Sequence, residues 1–143
     1  MSVYLDASVL LPSLIEEDAS AVVDAYMLAG TQELLVSDFA AAEVAAALSR
    51  LVRMGRLEKS DAFSRLADFD VWRAAMSSPA EIHASDARLA VEYVRRFDLA
   101  LRAPDALHLA IVRRLDVTLV TLDRRLATAA AELGIAVEAP TFN

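Results

Sequence analysis

The sequence predicts an α/β fold in which a short-stranded parallel sheet is flanked by helices on both faces. Apolar runs of three or four residues, too short for helices, alternate with longer stretches of helical period, an alternation that calls for a parallel sheet between two helical layers. The runs are apolar without interruption, as expected of strands buried on both faces. Of the 143 residues, 57% are hydrophobic, enough for one domain with a substantial core and too few residues for a second.

Val3, Tyr4 and Leu5 form the first strand, which stops on Asp6. Ala7 to Ile15 has helical spacing but contains Pro12, so this element is short and kinked or restarted at the proline. Ser20 to Ala29 forms a helix with Val22, Val23, Tyr26 and Met27 inward and Gly30 as its stop. Leu34 to Val36 is the second strand. Ser37 or Asp38 caps a helix that runs to Met54 and is closed by Gly55. Lys59 to about Met76 is helical, with Phe63, Leu66, Phe69 and Trp72 recurring every third residue as a core or dimer face. Ser77, Ser78 and Pro79 break it, and a third strand is placed around Ile82. Asp86 to Phe97 is helical with Leu89, Ala90, Tyr93 and Val94 inward, and Pro104 opens the next helix, which ends at Leu115. Val117 to Val120 is a strand, Asp123 caps a helix to Leu133 that Gly134 stops, and Ile135 to Val137 is the last strand. All three glycines fall at helix ends, so none is left for a phosphate-cradling loop.

Composition narrows the chemistry. Without cysteine there is neither a disulfide framework nor a thiolate zinc site. Asp6 and Pro12 interrupt the first apolar stretch and no basic segment precedes it, which argues against a signal peptide or membrane span there and makes a cytoplasmic protein the expectation. The net charge of −7, from 14 basic and 21 acidic residues, disfavours nucleic acid unless carboxylates converge on a divalent cation and so attract phosphate. Lys59 is the one lysine, and the remaining basic residues are arginines, whose guanidinium forks suit phosphate.

Four acids stand out. Asp6 and Asp123 each follow a strand, and Asp105 lies in the first turn of a helix, places where helix capping or the helix dipole gives a sufficient account of any one alone. Glu43 has no such account. It lies within Phe39 to Leu48, among alanines, Val44 and Leu48, and six residues past Ser37, too far for a capping box. A half-enclosed carboxylate must be neutral, paired or metal-bound, and an arginine from a neighbouring helix is the structural alternative to a metal. In a parallel sheet, strand C-termini and helix N-termini share one edge, so Asp6, Asp105 and Asp123 can converge there with Glu43 above them. Oxygen-only ligands select Mg²⁺ or Mn²⁺, and such ions suit phosphodiester hydrolysis. Of the two histidines, His108 reads as a packed or solvated helix residue, and no nucleophile elbow is present.

The segments VYLDAS, AAAEVAAAL, RAPDALHLA and LVTLD, in that order, resemble the PIN-domain family and, more narrowly, the VapC-type toxin ribonucleases of prokaryotic toxin–antitoxin pairs. The resemblance covers essentially the whole chain and implies a PIN-like three-layer domain over residues 1–143. It places Asp6, Glu43, Asp105 and Asp123 at the acidic metal-binding positions, with Ser8 and Thr121 as hydroxyl partners. It further implies a Mg²⁺- or Mn²⁺-dependent endoribonuclease, a homodimer, and inhibition by a small VapB-type antitoxin lying along the hydrophobic surface of the helices. Pro12, inside the first helix, departs from the family pattern. Arg50, Arg53, Arg88 and Arg102 are candidate RNA contacts. Two other readings stand beside this one. A haloacid-dehalogenase-type phosphatase also carries an Asp after its first strand but needs a second two residues on, where Ser8 stands; a non-catalytic interaction module would use the acids as caps only.

Overall fold

The structure is a computed structural model that describes residues 1–141. Five parallel strands form one sheet in the order β3-β2-β1-β4-β5: β1 (Ser2–Leu5), β2 (Glu33–Val36), β3 (Ser78–Pro79), β4 (Thr118–Val120) and β5 (Val137–Glu138). The helices among the described residues are α1 (Ala7–Leu10), α2 (Ser20–Ala29), α3 (Asp38–Arg53), α4 (Lys59–Met76), α5 (Ala84–Arg95), α6 (Ala103–Leu115) and α7 (Arg124–Glu132). None is long and apolar enough to cross a membrane.

Strand alternation sorts the core into two layers. Val3 and Leu5 point to one face with Leu34, Val36 and Val120, where they meet Val9, Leu10, Val23, Ala40, Val44 and Phe69 from α1 to α4. Tyr4 and Leu119 point to the other face, against Leu109, Val112, Leu126 and Ala130 from α6 and α7. The register keeps the faces matched, with Tyr4 opposite Leu35 on β2 and Leu119 on β4. A third cluster, Ala90, Ala106 and Ala110, packs α5 on α6 through side chains small enough for close helix approach.

Several elements differ from the sequence expectation. The third strand is Ser78–Pro79, with Ala80 N–H extending the pairing to Val36 O at 3.1 Å, while Ile82 is exposed just ahead of α5. Proline is tolerated because β3 is an edge strand. The last strand lies at Val137–Glu138, and Phe97 falls in a 3₁₀ turn after α5. Phe69 is buried and stacks on Trp72, yet Phe63 is 63% exposed, because a three-residue spacing drifts about 60° per step around an α-helix. Gly55 and Gly134 occupy positive φ, at 71° and 74°, as helix stops, whereas Gly30 is extended. Pro12 is buried in a 3₁₀ turn that continues α1.

One buried ion pair fixes α5 to α6. Arg114 Nε and Nη2 donate to Asp86 Oδ1 and Oδ2 at 2.8 and 3.0 Å, and the His83 N–H donates to Oδ2 at 2.8 Å. Burial raises the Asp86 carboxyl's pKa, but the hydrogen bonds from Arg114 and His83 and the charge of Arg114 outweigh it, so the net shift is downward. A folded-state pKa below the unfolded one contributes stability that is present above the ordinary carboxylate value and lost as pH falls through the folded pKa. Asp86→Ala should therefore cost about 1–3 kcal/mol at neutral pH by urea denaturation, the penalty for leaving the partly buried Arg114 guanidinium and the His83 N–H without their acceptor, and the gap to wild type should close as pH drops below about 4.

Candidate active site

The sheet order reverses direction at β1, with β2 and β3 on one side and β4 and β5 on the other. In parallel α/β sheets ligands bind beyond the strand C-termini at this switch point, and Asp6 and Asp123 are the acids that follow β1 and β4.

Asp6 holds the N-cap position of α1, but its side chain makes no capping bond. Its carboxylate instead accepts Ser8 Oγ–H on Oδ1 at 2.6 Å and Thr121 Oγ1–H on Oδ2 at 2.8 Å. Both hydroxyls are held in turn, since Leu122 N–H donates to Ser8 Oγ at 2.9 Å and Asp123 N–H to Thr121 Oγ1 at 3.0 Å. Asp6 is only 5% exposed and forms no salt bridge among the described residues. Burial drives its pKa up, the two hydroxyls and, when His108 is protonated, the charge of that imidazole offset part of the rise, and the nearby charge of Asp123 adds to it.

Asp123 does cap α7, Oδ1 accepting from the N–H of Arg125 and Leu126 at 3.0 and 3.2 Å. Asp105 turns back within the first turn of α6, where Oδ2 accepts the Arg102 N–H at 3.1 Å and its carboxylate pairs with the Arg102 side chain. Glu43 is half-buried, and its partner is His108 rather than the arginine considered as an alternative. The Arg102 guanidinium senses the convergence of these groups: its pKa is raised first by the hydrogen bond to Asp105, and the charges of Asp123 and Glu43 also contribute. No three acidic or histidine side chains among the described residues lie close enough to share a metal ion. The donor set nevertheless fits a hard divalent cation, being all oxygen, negatively charged and centred on a buried carboxylate without a cationic partner.

His108 is the residue that sequence reasoning undervalued. It is 3% exposed, wedged between the rings of Tyr4 and Phe39 at centroid distances of 5.7 and 5.0 Å. Its Nδ1 lies 2.7 Å from Tyr4 Oη, which lies 2.7 Å from Ser37 Oγ, the hydroxyl that caps α3 by accepting the Ala40 N–H at 3.0 Å. Burial raises the Tyr4 pKa well above its usual value, so the phenol stays protonated. The signal available in the sequence was spacing: His108 lies three residues after Asp105 on a helix of otherwise apolar inward face.

A PIN domain family model matches residues 3–132. The chain belongs to the PIN-domain family. Comparison with curated proteins gives no match. Solved structures that share the fold include VapC20 of Mycobacterium tuberculosis, a Sarcin-Ricin loop cleaving toxin, with a TM-score of 0.72 and 16% identity over 90% of this chain and 95% of that one. FitAcB from Neisseria gonorrhoeae superposes with a TM-score of 0.70 and 19% identity over 96% of this chain and 97% of that one. VapBC2 from Rickettsia felis, solved bound to a promoter DNA fragment, gives 0.67 and 14% over 97% and 98%. In this PIN domain the residue two positions after Asp6 is Ser8, whose hydroxyl proton is committed to Asp6, so the second aspartate of a haloacid-dehalogenase site has no counterpart.

The raised pKa of Asp6 has a measurable sign. A carboxyl whose folded pKa lies above its unfolded value of about 3.9 stabilises the fold only while protonated, so its contribution declines as pH rises through the folded value. In chelator, the stability of wild type relative to Asp6→Asn should fall as pH rises above the unfolded value of about 3.9 and level off above the folded pKa, as followed by urea denaturation. A pH-independent difference would show that Asp6 is not desolvated.

Proposed function

We propose that this PIN domain, spanning residues 1–143, is a Mg²⁺- or Mn²⁺-dependent endoribonuclease, the toxin of a toxin–antitoxin pair. The observation that carries the reading is Asp6, a buried carboxylate with a raised pKa and no cationic partner among the described residues, at the switch point of the sheet. Such a group is costly to the fold, by several kcal/mol as an order of magnitude, and a bound cation removes the cost. The ribonuclease assignment draws on family membership and on the RNA-cleaving toxin that shares the fold.

In this reading Asp6 and Asp105 hold the principal ion while Glu43 and Asp123 complete the cluster. A divalent ion bound there supplies an activated water and screens charge on the phosphodiester. Ser8 and Thr121 keep the Asp6 carboxylate in one orientation by donating to both of its oxygens. Arg102, with its side chain 71% exposed, releases Asp105 by swinging outward, where its guanidinium can meet a substrate phosphate. Arg50, Arg53 and Arg88, all exposed, are further candidate RNA contacts.

The partners follow from the same reading. A homodimer and a VapB-type antitoxin are proposed, the latter lying in the groove of about 500 Å³ between α2 and α4. Leu14, Met27, Leu28, Phe69 and Trp72 supply its apolar wall, and Asp24 and Asp68 give it an acidic edge.

Purified protein should cleave RNA with Mg²⁺ or Mn²⁺ and lose that activity in chelator. Asp6→Asn and Asp123→Asn should each lower kcat/KM at least about 100-fold, a loss of roughly 3 kcal/mol of transition-state stabilisation. Cleavage by Asp6→Asn at the wild-type rate, or no cleavage across a broad RNA panel, would sink the assignment in favour of a non-catalytic module in which Asp105 and Asp123 serve only as the caps they form here.

A further inference from the structure

The chain Ser37–Tyr4–His108–Glu43 links the elements that carry three of the four acids, and its protons can be accounted for completely. Tyr4 lies on β1 two residues before Asp6, Ser37 caps the helix that carries Glu43, and His108 lies one turn after Asp105 on α6. Among the described residues Ser37 Oγ has two hydrogen-bonding neighbours, the Ala40 N–H and Tyr4 Oη. The amide can only donate. The Ser37 proton must then go to Tyr4 Oη, the Tyr4 proton to His108 Nδ1, and His108 must carry its proton on Nε2, donating to Glu43 Oε1. The opposite direction would give Ser37 Oγ two donors and leave its own proton without an acceptor, and an imidazolium would leave either that proton or the Tyr4 proton without one, in residues that are both fully buried. One arrangement satisfies every group, a neutral Nε2–H imidazole.

The neutrality matters for what Glu43 can do. An arginine partner would have positioned the carboxylate and cancelled its charge. A neutral imidazole N–H fixes one oxygen and leaves the full negative charge, with Oε2 making no hydrogen bond among the described residues. Outer hydrogen-bond partners of this kind hold metal-binding side chains in place and set their orientation. We infer that His108 is a positioning residue: in an Nε2–H tautomer imposed by the buried Ser37–Tyr4 hydroxyl chain, it orients the Glu43 carboxylate toward the acidic site without neutralising it. The inference rests on the metal-site reading of the four acids and adds to it the device that presets one of them.

Two measurements test it. With His83→Gln used to assign the two imidazoles, ¹⁵N spectra of metal-free protein at neutral pH should show His108 protonated on Nε2 and bare on Nδ1; an Nδ1–H tautomer or an imidazolium overturns the inference. Mn²⁺ titration calorimetry should show binding weakened about 10- to 100-fold in His108→Leu, which removes the donor, and restored to within about threefold of wild type in His108→Gln, which returns an N–H donor. Tyr4→Phe, which keeps the ring and deletes the hydroxyl, should weaken Mn²⁺ binding about threefold or more and allow the other tautomer to appear. A purely structural role would lower thermal stability in the leucine and glutamine variants alike and leave the Mn²⁺ affinity of the folded protein unchanged; wild-type affinity in folded His108→Leu, or in Tyr4→Phe if the leucine variant does not fold, overturns the positioning role alone. Absence of Mn²⁺ binding by wild type instead overturns the metal-site reading and the role of His108 with it.

Discussion

The active-site edge of this molecule depends on a buried carboxylate gripped by two hydroxyls from separate elements. Asp6 ends the central strand, Ser8 follows it, and Thr121 ends the neighbouring strand, so the bonds to Asp6 also tie β1 to the loop that opens α7. Because Leu122 and Asp123 amides donate into the same hydroxyls, the loop that presents Asp123 is held by the group it faces. The cost is a charge withdrawn from water beside a second charge, and it is this uncompensated arrangement that supports the proposed cation site.

The neighbouring acids are restrained by different means. Asp123 is kept by backbone amides, Asp105 by an arginine one turn away, and Glu43 by an imidazole. Amides and a neutral imidazole restrain a carboxylate while leaving its charge in place; a guanidinium restrains and cancels it. Among the described residues Asp123 and Glu43 are thus held without a guanidinium, while Asp105 shares its carboxylate with the exposed Arg102.

Much of this was legible in order along the chain. The strands β1, β2 and β4 and most helix limits follow from apolar runs, capping residues and Pro104, and the four acids could be named from position and from family resemblance. At Asp6 local spacing alone permits a cap, but Ser8 and Thr121, the latter 115 residues away, take the carboxylate instead. Phe63 lies outside this chain's own core because a period of three is not the helical period, and the third strand was misplaced because edge pairing needs so few residues that Ser78 and Pro79 suffice.

The sequence by itself determined the layered α/β architecture and the identity of the acids, since both are written in local periodicity and residue type. Only the tertiary structure decided the surroundings of each acid: which is desolvated, which is capped, which is paired with a guanidinium, and that Glu43 meets His108 rather than an arginine. Those outcomes are set by which side chains meet across the sheet edge from positions 65 to 115 residues apart, and no local pattern encodes a hydrogen-bond partner at that distance.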